Sequence, residues 1–258
     1  MKSDKMKIIL FITLFALSFS NLFAQVNTEK YRSSHDSLGL SLQSEIGATV
    51  QKGNVDFQEF SIESVLSYKL QSSTYLFVVS GDFGWEDRKS FSNSLLFHLR
   101  NIHDLSARFK LELFVQLDYD KEHLLISRKL TGAGLRSHLF SLGSDKLWIG
   151  NSIFFEQEKY DLPKTAKHDS ELNNLRISTY LTFKKKIKEY INWDSVVYYQ
   201  PMLDQLGDYK IIGETGLTFE IEDQISLAIG FNYRFDSIPA DGIKKNDYKT
   251  EMGLVLSL

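Results

Sequence analysis

Apolar and polar residues alternate one for one along most of this chain, most clearly from Leu105 to Tyr119. Leu105, Ala107, Phe109, Leu111, Leu113, Val115, Leu117 and Tyr119 fall on one side of an extended backbone. Ser106, Arg108, Lys110, Glu112, Phe114, Gln116 and Asp118 fall on the other. A period of two is what a strand with one apolar face requires, because successive side chains point to opposite faces. The run far exceeds the usual soluble strand of about five or six residues. It suits a tilted membrane-crossing strand of about ten residues with extensions.

The same rhythm predicts strands at 38–51, 54–69, 73–85, 90–101, 104–119, 123–139, 145–157, 172–185, 187–200, 207–220, 223–236 and 247–258. That is about twelve, an even number, as single-chain bacterial barrels have. Short turns are expected near 69–72, 101–104, 140–146, 185–186 and 220–223, and longer loops at 157–171 and 236–246. The brief Lys52-Gly53-Asn54 connection breaks the trend. Short turns at one end and longer loops at the other fit periplasmic turns and outer loops. The expected fold is all-β: a transmembrane, antiparallel, up-and-down β-barrel of about twelve strands over 38–258.

Alternation alone also describes a soluble sandwich, since either fold has one polar face. Aromatic placement separates them. Trp85, Tyr119, Tyr199, Tyr209, Tyr233 and Tyr248 fall at predicted outer ends of strands, on the apolar face. Tyr68, Tyr75, Phe183 and Phe219 fall at or near inner ends. Two aromatic girdles belong to a membrane barrel, because amphipathic rings favour the interface.

The two ends of the chain agree with this picture. Lys2, Lys5 and Lys7 precede an apolar run from Ile8 to Phe19, with Phe23-Ala24-Gln25 beyond. That is the layout of a secretory signal peptide, expected at 1–24, followed by a polar segment at 25–37. The apolar run is well short of the ~20 residues a spanning helix needs. At the other end, Glu251, Gly253, Leu256 and Leu258 resemble the terminal-strand signal read by the outer-membrane assembly machinery. Export and a terminal barrel strand together place the protein in a Gram-negative outer membrane, with its lipid and the assembly machinery as partners.

Composition excludes more than it assigns. The chain has no cysteine, so disulfides and thiolate sites are out. Loss of a leader carrying three lysines and one aspartate would take the formal charge from -3 to about -5. A mildly acidic chain lacks the basic face of a nucleic-acid binder. Lys184-Lys185-Lys186 reads as a solvated turn. No nucleotide loop, zinc spacing or haem motif is present, and no cofactor is expected.

Gly47 to Gly53-Asn54, Phe114-Val115-Gln116, Glu156 and above all Arg128-Lys129-Leu130-Thr131-Gly132-Ala133-Gly134-Leu135-Arg136 resemble an uncharacterised family of salt-induced outer-membrane proteins. The resemblance covers most of the chain beyond the leader, and the Arg-x-Leu-x-Gly-x-Gly-x-Arg segment is its most specific part. It implies an outer-membrane barrel of unassigned activity.

Parity then selects candidate lumen residues. Arg128, Leu130, Gly132, Gly134, Arg136 and His138 share one face, opposite Ala133, Leu135 and Leu139. The glycines leave room for bulky neighbours or for strand coiling. Lys110 and Glu112 face the same way, as do Trp148, Ser152 and Glu156. Further inward candidates are Glu45, Glu59, Glu63, His98, Arg100, Arg176, Asp194, Glu214, Arg234 and Glu251. Such a lining could select small polar solutes. The mixed signs favour instead an ion-pair network that fills the barrel, since charges withdrawn from bulk water need partners. In that network Arg128 and Arg136 are each expected between lumen carboxylates such as Glu112 and Glu156.

Catalysis fits less well. A lipid-cleaving barrel needs a Ser–His pair near the lipid face. By parity His98 and His138 point inward, while His35, His103, His123 and His168 fall in turns or tails. The acidic stretch Asp118 to His123 lacks the glycine and spacing of a calcium loop and reads as a solvated turn. The function expected is a small passive channel or a plugged barrel. An envelope interaction role through the outer loops comes second, and a lipid-modifying enzyme third.

Overall fold

The computed structural model describes residues 38–51, 57–86 and 89–258. The leader, the 25–37 segment and the Lys52-Gly53-Asn54 connection lie outside the described residues. The first six strands are β1 (Gly39–Gln51), β2 (Phe57–Lys69), β3 (Ser73–Glu86), β4 (Lys89–Asp104), β5 (Phe109–Asp120) and β6 (Leu125–Leu142). The rest are β7 (Asp145–Tyr160), β8 (Glu171–Lys188), β9 (Ile191–Pro201), β10 (Tyr209–Glu222), β11 (Ile225–Asp236) and β12 (Asn246–Ser257). Each pairs antiparallel with its chain neighbours, and β12 returns to β1 to close the barrel. Among the described residues there is no helix.

Two expected turns are strand instead. Residues 101–104 belong to β4, where Ile102 pairs with Glu112, and the turn is 105–108. The alternating run from Leu105 therefore becomes strand only at Phe109. Lys184-Lys185-Lys186 lies in β8, with Lys186 opposite Asn192 and the Lys185 ammonium 3.4 Å from Asp145. Polarity marks where water is, not where pairing stops, so ladders that run on past the membrane read as turns.

The barrel is inside-out relative to a water-soluble protein. On β5, Leu113, Val115 and Leu117 are 47–53% exposed, while Glu112, Gln116 and Asp118 are at most 6% exposed. A continuous apolar exterior around a polar interior suits hydrocarbon rather than water, and closure satisfies the backbone there. This is a transmembrane barrel. Rings collect at both rims of the apolar band: Tyr199 with Tyr209 and Tyr233 with Tyr248 at one end, and Phe183 with Trp193 at the other. The short turns 70–72, 143–144, 189–190 and 223–224 share one end, here the turn end, with the C-terminus. Loops 161–170, 202–208 and 237–245 make the opposite, loop end.

The seam between first and last strands is incomplete. β1 pairs with β2 from Gly39 to Gln51, and β12 with β11 from Asn246 to Leu256. Between β1 and β12 the ladder covers only Gln43–Ile46 against Leu254–Ser257. Leu42 and Leu258 extend it by exchanging two backbone hydrogen bonds of 2.9 and 2.8 Å. The seam is thus zipped at the turn end and unpaired towards the loop end.

Candidate functional site

Inward parity brings every candidate lumen residue to the interior, but packing divides that interior in two. From β4 to β8 it is solid. Arg100 donates to Glu112 at 3.0 Å, and the Tyr180 hydroxyl donates to the same carboxylate oxygen at 3.0 Å. Arg100 Nε also donates to His98 Nε2 at 3.2 Å, which makes that nitrogen an acceptor and leaves Nδ1 to donate to Gln116, 3.0 Å away. Arg176 pairs with Glu156 and lies 2.9 Å from Asp208. Lys210 reaches Glu158 at 2.8 Å and Glu156 at 3.5 Å. Rings fill the gaps: Phe114 and Phe154 pack on Leu130, and Tyr180 on Tyr198. The glycines are the space for those rings. A methyl group on Gly132 would sit 2.5 Å from the Phe114 ring, and one on Gly150 2.2 Å from the Tyr180 ring.

The two arginines take partners of different kinds. Arg128 pairs directly with Asp118 at 3.1 Å, and the charges of Glu156 and Glu158 also act on it, so it does sit among lumen carboxylates. Arg136 lies over the Trp148 ring, 4.3 Å from its centre, a cation–π contact. Lys110 approaches the same ring at 6.0 Å and pairs with Asp104. His138 packs on it too, with 4.5 Å between ring centres, and bonds Ser141 at 2.8 Å. Parity chooses the face, but barrel stagger chooses the partner, and stagger is not written in the alternation.

On the other side, from β9 through β12 to β3, the lumen is hollow. A cavity of about 150 Å³ is lined by Glu45, Glu63, Asp82, Asp194, Glu214 and Glu251, with Lys249 the one cation in that lining among the described residues. Lys249 is already committed, to Asp82 at 3.2 Å and to Glu251. Glu45 and Glu63 stand directly opposite each other on β1 and β2, a like-charge pair that opposes pairing. Gly216, Ala228, Gly230 and Gly253 supply small side chains where the packed half has rings and guanidinium groups. Asp82, Lys210, Lys249 and Glu158 were not among the sequence candidates, although inward parity alone would have found them.

The loop end is capped. Ala240 is buried against Leu125 and Tyr160, with Leu162, Leu172 and Ile243 packed around them. The backbone N–H groups of Lys167 and His168 both donate to Asp241, the second at 3.0 Å, tying loop 161–170 to loop 237–245. Those donors, His168 first, hold the Asp241 carboxyl below the usual carboxylate range. Beneath the cap, His123 is buried between Asp120 at 2.5 Å and Asp247 at 3.3 Å. Burial and Arg234 push its imidazole down, but the two carboxylates outweigh them and raise it above its ordinary value. Asp120 also accepts the Glu122 and His123 N–H groups, so it serves its own turn.

One histidine departs from expectation. His103 lies in β4 rather than in a turn, faces outward like its partner Leu111, and its Nδ1 is 2.8 Å from the Ser73 hydroxyl. An outward Ser–His pair therefore exists at the turn end. Among the described residues no third group holds its other ring nitrogen, so the relay that activates a serine is incomplete.

Residues 44–258 match the family described as Protein of unknown function, DUF481. No curated protein matches the chain in sequence. In fold it is similar to the translocator domain of the autotransporter NalP from Neisseria meningitidis, at 10% identity and a TM-score of 0.55, over 88% of this chain and 92% of that one. An outer-membrane channel from Pseudomonas putida F1 is also similar, at 10% identity and a TM-score of 0.50, over 87% and 97%. At that identity the likeness is one of architecture. The family match, which runs through both halves of the lumen and the closing strand, establishes that this chain is a member of the DUF481 family.

Proposed function

We propose that this protein is an outer-membrane barrel whose hollow half passes small cationic solutes. The observation that carries the reading is the segregation of charge: mixed signs pair off on one wall, while carboxylates outnumber cations in the cavity. A lining of one sign is what discriminates between ions. The loop end faces outward in this reading, export uses the N-terminal leader, and Gly253, Leu256 and Leu258 guide assembly.

The test is a planar-bilayer recording of the refolded protein under a KCl gradient. A small conductance with a cation-selective reversal potential is expected, and the double change Glu63→Gln with Glu214→Gln should move that potential towards zero. An anion-selective current, or none above the lipid background, would overturn the reading.

A further inference from the structure

From Gly47 to Gln51, β1 has no ladder with β12, although both strands remain fully paired on their other sides. At ~3.3 Å per residue this leaves roughly 15 Å of open edge. The edge lies in the part of the barrel that faces hydrocarbon, where unsatisfied N–H and C=O groups are costly. Water or a ligand must reach them, and the lumen cavity is the available source: Glu45, Gly47, Met252 and Gly253 of the two seam strands all line it. The outside of the same gap is apolar, flanked by Ile46, Val50, Met252 and Leu254, each 39–69% exposed. The apolar cap narrows axial entry from the loop end, and the packed half confines the open lumen to the side of the barrel that carries the seam. The gap thus joins an apolar exterior to a carboxylate-rich interior.

We propose that the unpaired stretch of the β1–β12 seam is a lateral portal, through which an amphipathic molecule with a cationic head places that head in the cavity while its chain stays in the bilayer. Charge complementarity with the carboxylate-rich lining as a whole selects the head, and the flanking apolar residues receive the tail. The proposal rests on the cationic-solute reading of the cavity and adds the entrance and the amphipathic class of ligand. The seam zipped from Leu42 to Ile46 acts as the fixed hinge line beyond which the strands part.

The chain has no cysteine, so a staple can be introduced cleanly. Continuing the register past Ile46–Leu254 sets Ala48 opposite Met252, both facing lipid. The variant Ala48→Cys with Met252→Cys would be placed in phosphatidylcholine nanodiscs and titrated with a fluorescent dodecyltrimethylammonium probe, reduced and then oxidised. We expect binding in the reduced form, at least tenfold weaker binding after oxidation, and no comparable binding of the dodecyl sulfonate analogue. Binding indifferent to the staple, or equal for the anionic analogue, would overturn the portal. So would cross-linked dimers from either single cysteine variant, which would assign the open edge to a second copy. If the double variant does not assemble, hydrogen exchange on the unmodified barrel decides. Fast exchange at 47–50 with protection at 42–46 supports the portal, and uniform protection refutes it. The reading of the cavity fails separately. A stapled barrel that binds no alkylammonium but keeps its cation-selective current retains the cavity function, and loss of selectivity with lateral binding intact removes only that function.

Discussion

Between β4 and β8, Arg100, Arg128 and Arg176 each meet a carboxylate at hydrogen-bonding distance, and rings occupy the space between them. From β9 through β12 to β3 the same inward positions carry carboxylates and small residues around a void. Both halves obey one alternation and lie in one membrane. The difference shows that an inward polar position in a barrel has two destinies. Paired and packed, it substitutes for a hydrophobic core. Lined mostly by carboxylates and small residues around a void, it becomes a binding surface. Stability is expected to reside in the first half and selectivity in the second.

The largest effect should come from breaking a pair in the packed half. Arg176 is 1% exposed and holds Glu156 and Asp208 together while donating to the Gln200 carbonyl. Arg176→Ala leaves buried Glu156 with only Lys210 at 3.5 Å and strips half-buried Asp208 of its partner, a loss that can reach ~3–5 kcal/mol. Glu63→Gln in the hollow half removes one of two facing like charges and should be neutral or slightly stabilising. Urea unfolding in detergent micelles, read as the shift in gel mobility between folded and unfolded barrel, compares the two. Equal losses would erase the distinction between the halves.

The glycines offer a second comparison without any change in charge. Gly150→Ala puts a methyl group into the Tyr180 ring, and overpacking of that kind costs typically ~1–3 kcal/mol. Gly230→Ala, on the hollow wall, meets nothing within 4 Å and should stay within about 0.5 kcal/mol of the parent. A loss at Gly230 as large as that at Gly150 would mean that the cavity is filled in the folded barrel.

Much of this architecture was legible in the sequence. Strand positions and the inward face of Arg128, Leu130, Gly132, Gly134 and Arg136 follow from a period of two, because one misplaced residue would turn a whole strand inside out. Partner choice was not legible. Arg128 meets Asp118 rather than Glu112 because stagger between strands decides which inward residues share a level. His103 was assigned to a turn because its neighbourhood is polar, yet the ladder runs through it. The hollow half had a signal that parity alone does not weigh: Gly216, Ala228, Gly230 and Gly253 occupy inward positions where other strands place large side chains. The open seam had none, since β12 alternates as cleanly where it is unpaired as where it is paired.

The smallest effect should appear at the cap, which belongs to neither half, and it should depend on pH in both directions. As an imidazolium, His123 donates from both nitrogens, to Asp120 and to Asp247; as a neutral ring it can donate from only one. Its folded value is raised, so its contribution is complete below the unfolded imidazole range and fades as pH rises through the folded value. Arg234, which opposes the imidazolium charge, shares the pocket around His123 with Asp236, Tyr160 and Lys244. Asp241 behaves oppositely. Its folded value is lowered, so its latch on Lys167 and His168 is complete above the unfolded carboxylate range and fades as pH falls through the folded value. The cap should therefore hold most firmly from above about pH 4 up to the ordinary imidazole pKa of about 6.5, and loosen at higher pH as the raised folded value is passed. Limited proteolysis of loop 237–245 in bilayers measures this: cleavage should be slowest in that window and faster on either side. Asp241→Asn should abolish the acid limb, and His123→Gln the alkaline one. A cleavage rate that is flat with pH in the parent protein would show that neither group secures the cap.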